Sequence, residues 1–258
     1  MTQTVEHYFT ALGQGRYLPT HRTQGAWQED EQHVAPVIGL LVHALELNHP
    51  RADLQWARVG VDILGMIRRE EMHVTTRVLR PGRTIELLES VVEIGGRPTV
   101  RATAWRLVRG ETAEVAAVEH DRMPGPEEMP VWHGMEQWGG HFIQSVEFRA
   151  TGNRPGRGRA WARTPVQLVD TEPVSDLARW VGLLDTANGI ATRQSPREWL
   201  YPNVDLTLHL HRQPRGTWVG LDTRVHWGPD GLGQTSSVAH DVDGPVGTVE
   251  QALTVRKV

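Results

Sequence analysis

SDLARWVGLLDTANGI, residues 175–190, reads as a helix. Ser175 is placed to cap its first turn, because a serine oxygen accepts a hydrogen bond from an orphan amide there. Leu177, Val181 and Leu184 recur at helical spacing and make one apolar stripe. Asn188-Gly189 supplies a left-handed stop. Asp185 falls on the edge of the stripe, where a carboxylate is costly unless it is bonded or used. A local structural role for it and a chemical one are both open from this stretch alone.

A second stretch, HVAPVIGLLVHALEL (33–47), gives a control. Pro36 suits a first helical turn, and Val37, Leu40, Leu41, Ala44 and Leu45 recur so densely that this is a core helix. GLLVHA (39–44) aligns with GLLDTA (182–187). Val42 then stands where Asp185 stands, so an acid is not something this kind of helix requires for packing.

The segments around the helices repeat in order. HRTQGAW (21–27) reads as an early strand before the first helix. After that helix come VGVDILGMI, HVTTRVLRPG, TIELLESVVEI and TVRATAWRLV, separated by turns such as Pro81-Gly82 and Gly95-Gly96. Residues 121–140, DRMPGPEEMPVWHGMEQWGG, have three prolines, four glycines and no period, which is a linker composition. Beyond it FIQSVEFRA and GRAWARTPVQLV precede the 175–190 helix. DLTLHLHR, TWVGLDTRVHW, GQTSSVAHDV and GTVEQALTVR follow it. RPGRTIELLES (80–90) matches RQPRGTWVGLDT (212–223) in place, and WRLVR (105–109) matches QALTVR (251–256). The order implies a duplicated unit, an antiparallel sheet curled about an apolar helix, with two sheets side by side to cover their edges.

Composition narrows the function. The 258 residues, 39% hydrophobic and 22% charged, describe an ordinary globular chain of one large domain or two small ones. A net charge of −4 and the lack of a basic run argue against a nucleic-acid partner. No cysteine is present, so disulfides, thiolate nucleophiles and cysteine-ligated metals are excluded. The N-terminal MTQTVEHYFT lacks the features of a leader and no apolar run is long enough to span a membrane, so a cytoplasmic location without membrane association is the expectation. Ten tryptophans against three phenylalanines and three tyrosines have no explanation at this level.

Taken together, the tandem helix-plus-sheet order, PxxGLL in the first helix, and YPNVDLTLHLHR, WVGLDT, GQTSSVAHDVDGPVG and EQALTVR in the second half resemble the acyl-CoA thioesterases of the double-hotdog type. That resemblance implies an α+β fold of two tandem hotdogs, each an antiparallel sheet wrapped around a long central helix. Their expected limits are residues 1–122 and 141–258, with 123–140 as linker. It also implies hydrolysis of an acyl-CoA or related thioester, with coenzyme A entering only as part of the substrate and no metal or redox cofactor.

In the family an Asp on the second helix, a Thr or Ser heading the next strand and a Gln on the last strand orient the attacking water. By position these are Asp185, Asn203 and Gln251. Asn203 departs from the family pattern; it still donates and accepts hydrogen bonds but has no hydroxyl. Whether Asp185 activates water or attacks the carbonyl itself stays open. With Val42 in the first helix, the resemblance implies one active site per chain, on the second half. The competing class is a non-catalytic acyl-CoA or lipid binder that keeps the pocket. Homo-oligomerisation is compatible with either.

Among other polar groups, His209 and His211 share a strand face and read as a polar surface, with Leu206, Leu208 and Leu210 turned inward. His43, beside Val42, reads as a satisfied core histidine. Gln251 alternates with Glu250 on a strand, so one of the pair faces out.

Overall fold

The computed structural model describes residues 6–258; the first five residues of the N-terminal reading lie outside that range. The apolar stretch at 33–47 forms α1 (Val34–Asn48), with every residue from Val34 to Leu45 buried. It is a helix surrounded on all sides by core, as its dense apolar pattern requires.

Among the described residues, fifteen strands surround the helices: β1 (His7–Gly13), β2 (Arg16–Pro19), β3 (Leu54–Ile63), β4 (Met72–Arg80), β5 (Ile85–Ile94), β6 (Arg97–Val108), β7 (Glu147–Ala150), β8 (Arg157–Arg163), β9 (Gln167–Val169), β10 (Trp199–Leu200), β11 (Asp205–Leu210), β12 (Val219–Trp227), β13 (Leu232–Asp241), β14 (Gly244–Thr254) and β15 (Arg256–Lys257). Thirteen join one sheet in the order β7-β8-β12-β13-β14-β11-β3-β6-β5-β4-β2-β1-β9, while β10 and β15 pair separately. The middle of this order is a seam where β11 runs antiparallel to β3, with Thr207 opposite Gly60. Strands from before the linker lie on one side of the seam. Those from after it lie on the other, except that β9 crosses over and pairs in parallel with β1. Leu206 and Leu208 on β11 are fully buried, as the alternation predicts.

Three readings change. HRTQGAW is not a strand: His21–Thr23 form a single 3-10 turn capped by Thr20, and the edge hairpin is instead β1–β2, turning at Gly13, Gln14 and Gly15 with positive φ. The rest of that stretch bonds to its own loop, Gly25 N–H donating to Glu31 O at 2.8 Å.

The 175–190 helix is broken. Ser175 does cap it, its Oγ accepting from Ala178 N–H at 3.0 Å. But, after a short α2 at His141–Gln144, α3 covers only Asp176–Val181, a 3-10 turn follows at Leu184–Thr186, and α4 is Ala187–Ile190. At the break α1 crosses very close: a Cβ on Gly39 would stand 2.8 Å from Ala178 O and 3.2 Å from Gly182 Cα. Two glycines at the crossing let the backbones touch where a longer side chain would hold them apart.

Asn188-Gly189 is not a left-handed stop either, since both residues lie inside α4 and neither has positive φ. Asn188 Nδ2 donates to Tyr201 O at 2.9 Å, and a Cβ on Gly189 would stand 2.7 Å from Met135 Cε. Close packing, not backbone handedness, explains this glycine.

The 121–140 segment contains no strand, as its composition suggests, yet it is not loose. Met123, Met129, Met135 and Trp138 are buried, and Trp161 Nε1 donates to Pro124 O at 2.8 Å. No helix among the described residues is long and apolar enough to cross a membrane.

Candidate active site

Breaking the second helix at Gly182 sets Asp185 on a single 3-10 turn, buried to 7% exposure. Asn203 approaches it from the chain entering β11, and Gln251 from the middle of β14. Asn203 Nδ2 donates to Asp185 Oδ1 at 2.7 Å, and Gln251 Nε2 donates to the same oxygen at 2.8 Å. A carboxylate can only accept, so each amide must turn its NH2 toward it. The three residues singled out in the sequence therefore meet at one oxygen atom.

Their arrangement is not symmetrical about a water-sized space. Asp185 and Asn203 line two clefts, of about 50 and 270 Å³, that share the carboxylate. Gln251 lies behind it, 1% exposed, with its own Oε1 enclosed and without a partner among the described residues. Glu250 is the member of that strand pair turned outward, bonding Ser236 Oγ at 2.7 Å. Because both amides occupy Oδ1, a proton taken up by Asp185 resides on Oδ2, the oxygen left open.

Burial pushes the Asp185 carboxyl up from 3.8 to about 7; the hydrogen bonds from Asn203 and Gln251 offset part of the desolvation. A group titrating there is half ionised near neutrality and is a far stronger base than a surface aspartate.

Sequence reasoning missed His33. This residue caps α1, Nδ1 accepting from Ala35 N–H at 3.1 Å, and that same nitrogen lies 3.7 Å from Asp185 Oδ2. Burial holds the imidazole down at about 3, so the pair is a contact between a neutral ring and a carboxyl group, not a salt bridge. The available signal was a polar residue just before an apolar helix, but histidine is not among the usual capping residues.

Tryptophans wall the smaller cleft. Trp27 and Trp138 meet edge to face at 5.2 Å, and both contact Tyr201, which in turn packs on Trp227 at 5.1 Å. Trp199 extends the cluster, 5.9 Å from Trp227. The surplus of tryptophan is thus partly spent beside Asp185.

His43 lies elsewhere. Its Nε2 donates to Glu172 Oε2 at 2.6 Å, and Tyr17 OH donates to the same oxygen at 3.0 Å, a satisfied core histidine as expected. Val42, at the place aligned with Asp185, is fully buried.

A sequence profile described as the acyl-CoA thioesterase C-terminal domain matches residues 120–255, and one described as the N-terminal domain of the same family matches residues 23–107. The chain belongs to the acyl-CoA thioesterase family.

Solved structures agree on the fold. A hot dog fold protein of unknown function from Alicyclobacillus acidocaldarius superposes with a TM-score of 0.74 at 13% identity, over 95% of each chain. An acyl-CoA thioesterase II from Mycobacterium marinum gives 0.67 at 15% identity, covering 97% of this chain and 95% of its own. The tesB protein of Mycobacterium avium subsp. paratuberculosis gives 0.66 at 15%, over 96% of both. No curated protein sequence matches this one.

Proposed function

We propose that this thioesterase-family chain hydrolyses an acyl-CoA, or a related acyl thioester, with water activated by Asp185. One observation carries the reading: a buried carboxyl group, raised to about 7, has one oxygen fixed by two amides and the other open to a cleft. Water is a poor nucleophile toward a thioester, and a positioned base contributes on the order of 10²- to 10⁴-fold.

In this scheme the water adds to the carbonyl carbon as Oδ2 takes its proton. The carbon–sulfur bond then breaks, and the proton passes to the departing thiolate, leaving free acid and coenzyme A. Asn203, on the cleft wall, orients Asp185 and borders the water; its lack of a hydroxyl matters less because its amide already grips the carboxylate. Gln251 works from behind, through Asp185. Val34, the first residue of α1, lines the larger cleft with an amide that has no partner among the described residues. At the positive end of a 15-residue helix it suits a developing oxyanion.

The domain reading follows the same line. The expected units, 1–122 and 141–258, are read as two hotdogs whose described strands, β9 apart, lie on either side of the β3–β11 seam, with α1 in one and the broken α3–α4 helix in the other. Only the second carries an acid at the aligned position, so one active site per chain is expected.

The test is release of free thiol from a panel of acyl-CoAs running from acetyl to palmitoyl. The proposal expects turnover of at least one, at one site per chain. Tight binding of an acyl-CoA with no thiol released above the uncatalysed rate would favour a non-catalytic binder.

A further inference from the structure

An oxyanion forming at a thioester carbonyl needs donors that are unoccupied before substrate arrives. Most of the polar side chains on the cleft walls fail that condition. Asn203 spends one amide hydrogen on Asp185 Oδ1 at 2.7 Å and the other on Asp205 O at 3.0 Å. The Thr186 hydroxyl donates to Leu183 O at 2.8 Å; Asn188 has one amide hydrogen on Tyr201 O at 2.9 Å and is 8% exposed, with no hydrogen bond toward Asp185. Gln32 Nε2 is held by Arg68 O at 2.7 Å.

His33 meets it. Its Nδ1 is committed as an acceptor to Ala35 N–H, so the neutral ring must carry its hydrogen on Nε2. Nε2 has no partner among the described residues, and His33 lines both clefts with 14% of its side chain exposed. Phe142 packs on the ring at 4.4 Å between centroids, and the α1 cap fixes its other edge. Asp185 Oδ2 faces the Nδ1 side at 3.7 Å. A gap of 3.7 Å leaves no room between Oδ2 and the ring, so the substrate carbonyl is placed beside them, its carbon toward the water on Oδ2 and its oxygen on the Nε2 side.

We infer that His33, as the neutral imidazole, donates its Nε2–H to the thioester carbonyl oxygen and shares the oxyanion with the Val34 amide. This rests on the thioesterase reading above. Burial at a helix N-terminus, where positive charge is disfavoured, keeps the ring uncharged and its donor in place at any pH at which Asp185 is ionised. With Nδ1 occupied, His33 is no alternative base. Two indole N–H groups also border the clefts: Trp138 Nε1 is enclosed beside Gly189, away from the open cleft, and Trp27, whose ring packs on Trp138 and Tyr201, is the remaining competitor, which the variants below separate from His33.

The decisive variant is His33→Asn. Asparagine is as good a helix cap, so α1 is retained, yet it is too short to replace Nε2. Its kcat/KM is expected to fall about 10²- to 10³-fold, with the pH inflection unmoved and the melting temperature nearly that of wild type. Trp27→Phe is expected to lose far less.

A second readout does not need turnover. A 13C-carbonyl acyl-CoA bound to Asp185→Asn should show its carbonyl stretch lowered relative to solution, and adding His33→Asn should reduce that shift to what the Val34 amide alone supplies. Undiminished turnover in His33→Asn, an unchanged carbonyl stretch in the double variant, or a larger loss from Trp27→Phe would each overturn the assignment while leaving the thioesterase reading intact. A wild-type protein that cleaves no acyl-CoA would overturn both.

Discussion

Asp185→Asn is expected to lose about 10²- to 10⁴-fold in kcat while making the folded protein more stable at neutral and alkaline pH. The two effects have one cause. The carboxyl is raised from 3.8 to about 7 because burial penalises its charged form, so the folded protein holds a proton that the unfolded chain has released. Stability contributed by this residue is therefore intact below about pH 4, falls as pH rises toward 7, and stays reduced above it. A gap of this size corresponds to on the order of 4 kcal/mol. Asparagine keeps an acceptor for Asn203 and Gln251 without the charge. Chemical denaturation of both proteins at acid and alkaline pH checks this. Near-equal stability at acid pH and a clear advantage for the variant at about pH 8 are expected. A variant less stable at both would mean that Asp185 is a structural acid. Such a cost, borne at one residue for activity, is the usual mark of a functional site.

Glu86→Ala carries the largest expected loss of stability. Glu86 and Arg106 are 5% and 2% exposed and face each other across β5 and β6. Arg106 Nε donates to Glu86 Oε2 at 3.1 Å, a second bond runs from Nη2 to the same oxygen, and Nη1 donates to His49 O at 2.7 Å, just past the end of α1. The guanidinium also lies 5.5 Å from the Trp56 ring centroid. Removing the carboxylate strands a buried cation, which costs about 3–5 kcal/mol. At roughly 2–4 °C per kcal/mol for a chain of this size, the melting midpoint should drop by about 6–20 °C. Thermal unfolding followed by circular dichroism measures it. A drop of a degree or two would show that Arg106 finds water or another partner.

Local chemistry made much of this molecule legible in the sequence. The α1 stretch is apolar on every side and could only be a core helix. Asp185, Asn203 and Gln251 could be singled out through the resemblance, and the alignment of Val42 with Asp185 showed that packing of such a helix does not require an acid there. What stayed hidden depends on contacts between distant segments. The break at Gly182 comes from the close passage of Gly39, which no pattern within 175–190 records. His33 is an unremarkable residue before a helix until the fold carries Asp185 to its ring. The proline- and glycine-rich 121–140 segment looked like a tether, but its Met135 and Trp138 pack against Gly189 and wall the smaller cleft. Tryptophan was conspicuous by number and uninformative by position, because Trp27, Trp138, Trp199 and Trp227 come together only in three dimensions.

The pH dependence of kcat/KM for the best acyl-CoA substrate tests the central claim most directly, since it reports ionisation of the free enzyme. With Asp185 as the base, kcat/KM should rise about tenfold per pH unit on the acid side and level off above about pH 7. Gln251→Leu, which removes a donor that favours the ionised form, should move that inflection to higher pH. A profile that is flat from about pH 5 to 8, or an Asp185→Asn enzyme that retains the wild-type value, would contradict the account.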